Sequence, residues 1–378
     1  MKKIAIFSGY YLPHLGGVER YTYNLAKQLH NTGYQVVIVS TRYDNELKEV
    51  ENLEYAKIYR LPIYNIFKSR YPLLKKNKKC RDLLKKIQSE KIDSIILQTR
   101  FWTTSYIGSK FAKKNSIPAC LIEHGSTHFT VNNKILDFFG EKYEHFLTNL
   151  IKRNVKDFYG VSKKCTDWLQ HFNIQSKGVF YNSIDSSEFE EYNQSINKNN
   201  ENVKIAFVGR LIKEKGVLKL IEAFDELKKN FSNLELNIAG SGPLYEELKN
   251  KEFKNNINIL GNLTHDEVMK LLAKSDVFVN PSYFSEGLPT SILEAALMKC
   301  AIIATPMGGT TEIINSDQIG LICGFEIEDI INKLTILLND KEYRTTLGEN
   351  ANNRVLSDFS WINTTKKLIN TIKFRENV

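Results

Sequence analysis

The 378-residue chain is 42% hydrophobic and 25% charged, which excludes a disordered protein, and it is too long for one ordinary core, so two domains are expected. Its formal charge of +9 is uneven: residues 1–182 hold 30 Lys+Arg against 15 Asp+Glu, and the remainder holds 22 against 28. Five scattered cysteines without Cys-x-x-Cys or Cys/His spacing indicate neither a disulfide framework nor a metal site, and no apolar run reaches the roughly 20 residues of a membrane-spanning helix.

The opening stretch, MKKIAIFSGYYLPHLGG, has too short an apolar run for a signal peptide. KIAIFSG (3–9) reads as a buried strand, followed by a Gly-rich loop and a helix near 17–31. That helix places Tyr21, Leu25 and Leu29 on one face and stops at Gly33. Further strands are QVVIVS (35–40), SIILQ (94–98), PACLIEHG (118–125) and DFYGVS (157–162), with helical patterns between them. The polar, Asn-rich EEYNQSINKNNENVK (190–204) is a linker or a surface loop. The alternation then restarts with KIAFVGR (204–210), LELNIAGSG (234–242), NINIL (256–260), DVFVNPS (276–282) and AIIAT (301–305). Apolar strands alternating with helices give an α/β protein with parallel sheets covered on both faces. Such sheets bind ligands at the carboxyl ends of their strands, and two facing sheets make an interdomain cleft. The expected division is 1–183 and 184–359, with a final helix over 360–378 crossing back to the first domain.

Candidate chemistry concentrates in YFSEGLPTSILEAALMKC (283–300). Pro289 suits the first position of a helix, since it lacks the N–H that would be unpaired there. Glu286 then lies on the loop before that helix and Glu294 on its second turn. The two carboxylates suit two parts of one extended ligand, such as the vicinal diols of a sugar or ribose. Spacing alone serves equally well two structural glutamates, one favoured by the helix dipole. GRLIKEKG (209–216) supplies Arg210 and Lys215 as cations for a diphosphate, or is simply a solvated basic loop. GGTTE (308–312) lets backbone approach a ligand, or is a plain turn. LGGVER (15–20) lacks the G-x-G-x-x-G spacing of dinucleotide-binding folds, which disfavours a dehydrogenase, but can still present amides to phosphate.

In this order, Gly16-Gly17, Gly209-Arg210-Leu211 with Lys215-Gly216, Asn280-Pro281-Ser282, Glu286 with Glu294, and Gly308-Gly309 with Glu312 resemble glycosyltransferase family 4 over nearly the whole chain. These are retaining enzymes with the GT-B fold, two Rossmann-like domains whose parallel sheets face an interdomain cleft. The resemblance implies that Glu294 binds the donor ribose and Glu286 the transferred sugar. It implies that Arg210 and Lys215 neutralise the diphosphate, and that His124 in IEHG (122–125) lies near the sugar's 6-hydroxyl. Gly16, Gly17, Gly209, Gly261, Leu263, Ser285, Gly287, Leu288 and Pro289 complete the implied donor-binding set. YNSID (181–185) departs from the family's Asn-Gly-Val-Asp, with Ser183 in place of glycine, which puts that turn in doubt.

No Asp-x-Asp occurs, so no metal is expected and protein cations would stabilise the leaving group. No cofactor is expected beyond the nucleotide-sugar donor, taken as a UDP-sugar. Residues 57–91 carry 12 basic residues and two acidic ones, interleaved with Ile63, Tyr64, Ile66, Phe67, Tyr71, Leu73 and Leu74. That pattern reads as an anionic-membrane surface element, although a solvated helix or a nucleic-acid site has the same composition. No nucleic acid is expected. The expectation is a cytoplasmic enzyme, peripheral on the inner membrane face, acting on a glycan or lipid-linked acceptor in surface polysaccharide or glycolipid assembly. The alternatives are a nucleotide-sugar epimerase of the same fold and a non-catalytic basic binding protein.

Overall fold

The computed structural model describes all residues except 15, 67–70, 131–132, 195, 197, 199–201, 254, 285–286 and 376–378, and only the backbone of 65, 66, 71 and 188. The chain divides into two compact units, Met1–Asn182 with Trp361–Val378, and Ser183–Ser360.

The strands of the first unit are β1 (Lys3–Phe7), β2 (Gln35–Arg42), β3 (Val50–Asn52), β4 (Lys57–Ile66), β5 (Tyr71–Leu74), β6 (Ser94–Gln98), β7 (Ala119–Glu123) and β8 (Asp157–Gly160). They lie in the order β3-β4-β2-β1-β6-β7-β8, with β5 beside β4. Pairing is parallel from β4 through β8, whereas β3 and β5 run antiparallel to β4. The helices are α1 (Gly17–Asn31), α2 (Lys78–Gln88), α3 (Thr103–Lys114), α4 (Lys134–Lys152) and α5 (Lys163–Gln170). Successive side chains of β1 alternate between two cores, as strand geometry requires. Ala5 and Phe7 join Leu83, Ile87 and Phe111 on one face, while Ile4 and Ile6 join Tyr21, Leu25 and Leu29 of α1 on the other.

The basic segment 57–91 is not one amphipathic surface helix. It forms β4, β5 and α2, and its apolar residues are largely core: Ile63 is 6% and Leu74 8% exposed. Leu73 is half-buried and Tyr64 exposed, while Phe67 and the side chains of Ile66 and Tyr71 lie outside the described residues. Among the described residues, three of its cations have acidic partners. Lys57 meets Glu90 at 2.6 Å, the buried Arg60 meets Glu51 at 2.7 Å, and Lys79 pairs with Glu49. Burial thus accounts for several of its apolar residues, and ion pairing for three of its described cations.

The second unit has a parallel sheet of β9 (Val203–Val208), β10 (Leu234–Ala239), β11 (Ile257–Gly261), β12 (Val277–Asn280), β13 (Ala301–Ala304) and β14 (Leu321–Ile322), ordered β11-β10-β9-β12-β13-β14. Its helices are α6 (Ser186–Asn193), α7 (Val217–Leu227), α8 (Tyr245–Lys249), α9 (His265–Ala273), α10 (Thr290–Leu297), α11 (Thr310–Ile313), α12 (Ile327–Asn339) and α13 (Lys341–Asp358). The polar stretch 190–204 lies inside this unit and runs from the end of α6 to the start of β9, so it is not the junction between units. The junction comes earlier, at Ser183, which is 2% exposed and takes no left-handed backbone conformation, so its turn needs no glycine.

The last helix, α14 (Trp361–Thr371), belongs to the first unit. Trp361 meets Tyr21 of α1 edge-on at 4.9 Å, and beyond the helix Ser94 Oγ donates to the Lys373 carbonyl at 2.8 Å. Among the described residues, no helix is long and apolar enough to cross a membrane.

Candidate functional site

Three neighbouring strands of the second unit, β9, β12 and β13, end on the same side of the sheet, because all are parallel. Their following loops hold one another. The Tyr283 amide after β12 donates to the Glu214 carbonyl after β9 at 2.9 Å. The Gly309 amide after β13 donates to the Gly287 carbonyl at 2.9 Å.

The β9 loop carries Arg210, which is exposed, and Lys215, which is 8% exposed. A short 3₁₀ turn, Lys213–Lys215, is closed by Gly216 at φ 72°. A side chain at Gly216 would meet the Pro281 carbonyl oxygen, so only glycine lets the β9 loop pass so close to the end of β12. Gly240, at φ 142°, plays the same part against the Gly209 carbonyl, and its amide donates to the Gly261 carbonyl at 2.7 Å. Arg210 and Lys215 both stand 5.7 Å from the centre of the Phe284 ring. The ring attracts both cations, and the chain runs from it into Ser285 and Glu286. Those two residues, both expected in the site, lie outside the described residues.

Beyond them, Leu288 is 5% exposed. Pro289 is the N-cap of α10, at φ −72° and ψ 111°, and not its first helical residue, so the helix starts one position later than its proline suggests. Glu294 is therefore the fifth residue of α10 and is 5% exposed. His265, which opens α9, brings Nδ1 to 3.6 Å from Glu294 Oε1. Gly261 ends β11 and the half-buried Leu263 follows it, two residues before His265, so the three lead from the sheet to Glu294.

The expected residues of the first unit form a second group. Gly16 caps α1, and the Glu19 carboxylate folds back against it. Gly17 has open space where a side chain would be. On the same helix, Tyr21 meets the His124 ring edge-on at 4.7 Å. His124 Nε2 lies 2.6 Å from Gln98 Oε1. With the Gln98 amide assigned in that orientation, Nε2 donates and Nδ1 carries the lone pair that a hydroxyl can donate to. Burial pushes this imidazole down to about 3, so it is neutral at physiological pH.

Behind His124 is an ion network that sequence spacing did not reveal. The Glu123 carboxylate accepts from the amides of His124 at 3.1 Å and Gly125 at 2.9 Å. Arg100 reaches Glu123 at 2.9 Å and Glu144 at 2.7 Å, with all three side chains fully buried. Glu144 in turn faces His128 Nδ1 at 3.0 Å. Phe284, His265 and this network were missed because each joins elements distant in sequence, and no local motif marks them.

The description "Glycosyltransferase Family 4" matches residues 15–188, and "Glycosyl transferases group 1" matches residues 188–354. An uncharacterized glycosyltransferase of Methanocaldococcus jannaschii is 27% identical over 97% of this chain and 96% of its own. A phosphatidylinositol N-acetylglucosaminyltransferase subunit from Homo sapiens is 24% identical over 96% of this chain and 74% of its own. Among solved structures, sucrose-phosphate synthase from Thermosynechococcus elongatus superposes with a TM-score of 0.76 at 17% identity, covering 98% of both chains. Anabaena HepE, solved in complex with UDP and glucose, superposes with a TM-score of 0.71 at 16% identity over 98% of this chain and 99% of its own.

Proposed function

Since the chain belongs to glycosyltransferase family 4, a group 1 glycosyltransferase of GT-B fold, we propose that it moves a sugar, with retention at the anomeric carbon, from a nucleoside diphosphate to a lipid-linked glycan acceptor. The observation that carries the donor half is that Arg210 and Lys215 both neighbour the Phe284 ring, on the loops that follow β9 and β12. When the bond from the anomeric carbon to the diphosphate oxygen breaks, negative charge develops on that oxygen. Two fixed cations stabilise this charge in the transition state. The acceptor hydroxyl attacks on the same face, and its proton passes to the departing phosphate. No side-chain general base is needed in that scheme. Glu294 receives the ribose hydroxyls as hydrogen-bond donors, Glu286 contacts the sugar, and His124 accepts from a sugar hydroxyl through Nδ1. We take uracil as the base, a choice supported by HepE solved with UDP.

The lipid-linked acceptor rests on different support. α4 of the first unit exposes Ile135 (70%), Phe138 (55%), Phe139 (64%) and Phe146 (61%). Scattered exposed apolar residues are ordinary, but with Leu136 (46%) the helix exposes five, the kind of surface that meets apolar partners. The phosphatidylinositol-directed name of the human relative points the same way.

The test of the donor reading is calorimetry or thermal shift with UDP, GDP, ADP and UDP-sugars. Binding to the folded state raises its apparent stability by about 2.7 kcal/mol at 100 times Kd. A shift with UDP and UDP-sugars is expected. No shift with any nucleoside diphosphate overturns the proposal and favours a non-catalytic binding protein. Isomerisation of a nucleotide sugar without acceptor favours the epimerase.

A further inference from the structure

Three histidines far apart in the sequence meet in the first unit. His128 follows β7, His145 lies on α4, and His171 comes directly after α5. His171 Nε2 stands 3.2 Å from His128 Nε2 and 3.2 Å from His145 Nε2. The three candidate ligand atoms all lie within 4.8 Å of one another.

A ring nitrogen has one in-plane direction, occupied by a lone pair or an N–H. His171 Nε2 therefore cannot make two well-aligned hydrogen bonds to two other nitrogens. Nitrogens about 2.0–2.1 Å from a shared tetrahedral ion are about 3.3–3.4 Å apart, close to the two separations of 3.2 Å. The surroundings agree. Glu144 Oε2 takes the Nδ1–H of His128 at 3.0 Å, which leaves the lone pair on Nε2. A carboxylate behind a ligating histidine is the usual support of a zinc-type site. Glu144 is itself fixed, fully buried and paired with Arg100 at 2.7 Å. Arg100 is shared by two carboxylates, Glu123 and Glu144, so this group has a net negative charge beside the histidines. Aromatic walls hold the rings: Trp168 lies flat on His171 at 4.7 Å and edge-on to His128 at 4.9 Å, and Phe172 lies 4.7 Å from His145.

We propose that His128, His145 and His171 bind one divalent transition-metal ion through their Nε2 atoms, with the fourth position left to water. Imidazole ligands suit Zn2+, Co2+, Ni2+ and Cu2+, whereas Mg2+ and Ca2+ take oxygen ligands. The ion clips the segment that follows His124 to α4 and α5. The ion takes no part in the transfer chemistry proposed above, although Glu144, Arg100 and Glu123 connect its ligands to the backbone of His124.

The test uses the untagged, full-length chain stripped with a chelator and titrated with Co2+, Zn2+ and Mg2+. One equivalent of Co2+ is expected to give visible bands of tetrahedral intensity that Zn2+ abolishes, with a Tm rise of several degrees and no response to Mg2+. His171 is exposed, so His171→Ala should fold normally and lose at least about 100-fold in Co2+ affinity, more than the usual loss of a supporting group. His145→Ala should do the same, and His30→Ala, remote on α1, should bind as wild type. Absence of saturable binding at micromolar metal, or unchanged affinity in both His171→Ala and His145→Ala, overturns the site.

Discussion

His265 Nδ1 stands 3.6 Å from Glu294 Oε1, and the carboxylate is almost wholly buried. A buried carboxylate beside an imidazole is held in place, and a hydroxyl that donates to it does so away from bulk water. Hydrogen bonds to a charged group contribute about 1.5–3 kcal/mol. Glu294→Gln keeps the shape and removes the charge. It should weaken UDP binding by about 10-fold or more by calorimetry, with an unchanged Tm for the ligand-free protein. Equal UDP affinity in wild type and variant would rule out ribose recognition by Glu294.

Arg100 is the cation shared by Glu123 and Glu144, and none of the three side chains is exposed. Removing one partner of a buried ion group leaves uncompensated charge, at a cost of about 3–5 kcal/mol. Arg100→Met should therefore lower unfolding stability by about that amount in a denaturant series, far more than a surface Arg→Met change. A loss under about 1 kcal/mol, the range of exposed ion pairs, would mean that the network is open to water.

The alternation of strands and helices was legible because parallel strands buried on both faces are short apolar runs, such as SIILQ and DVFVN. β4 was not, because it mixes Lys57 and Arg60 with Ile58, Tyr59 and Leu61, and only the fold supplies Glu90 and Glu51 to pair the cations. Arg210 and Lys215 were legible as neighbours on one loop. Phe284, the ring neighbour of both, comes from a loop about 70 residues further on, and that contact exists only once β9 and β12 lie side by side. The same holds for His128, His145 and His171: spacing rules find ligands on one turn or hairpin, and these three sit on three separate elements. Ser285 and Glu286, the loop on which the sugar contact was placed, lie outside the described residues.

The depressed pKa of His124 gives a pH dependence with a definite sign. Burial holds the folded-state imidazole near 3, against about 6.5 in an unfolded chain. Below about pH 6.5 the unfolded state takes up a proton that the folded state refuses, so this contribution favours folding above that pH and is lost as pH falls toward about 3. His145, lowered by burial and by His171 and His128, acts in the same direction. Glu90 acts later: burial raises it, but hydrogen bonds from Lys3, Lys57 and Tyr59 outweigh that and bring it to about 2. Its contribution is therefore lost only below about pH 4.5. Denaturation at about pH 7 and about pH 5 should show wild type losing up to about 2 kcal/mol through His124, and His124→Gln should lose correspondingly less. Identical slopes would mean that the imidazole titrates normally in the folded protein.

Lys215 separates chemistry from folding most cleanly. Its position depends on Gly216, whose left-handed backbone and contact with the Pro281 carbonyl no other residue can reproduce. Removing one preorganised group that stabilises charge in a transition state costs about 10²–10³ in kcat. Lys215→Ala should lose that much turnover with Tm close to wild type, and Lys215→Arg should recover part of it, since the charge returns in a different shape. Gly216→Ala forces a strained backbone worth about 1–3 kcal/mol and displaces the loop. It should lower both Tm and turnover. Near-normal turnover in Lys215→Ala would remove the ammonium from the leaving-group site, and turnover lost only in step with Tm would make its role one of support for the loop.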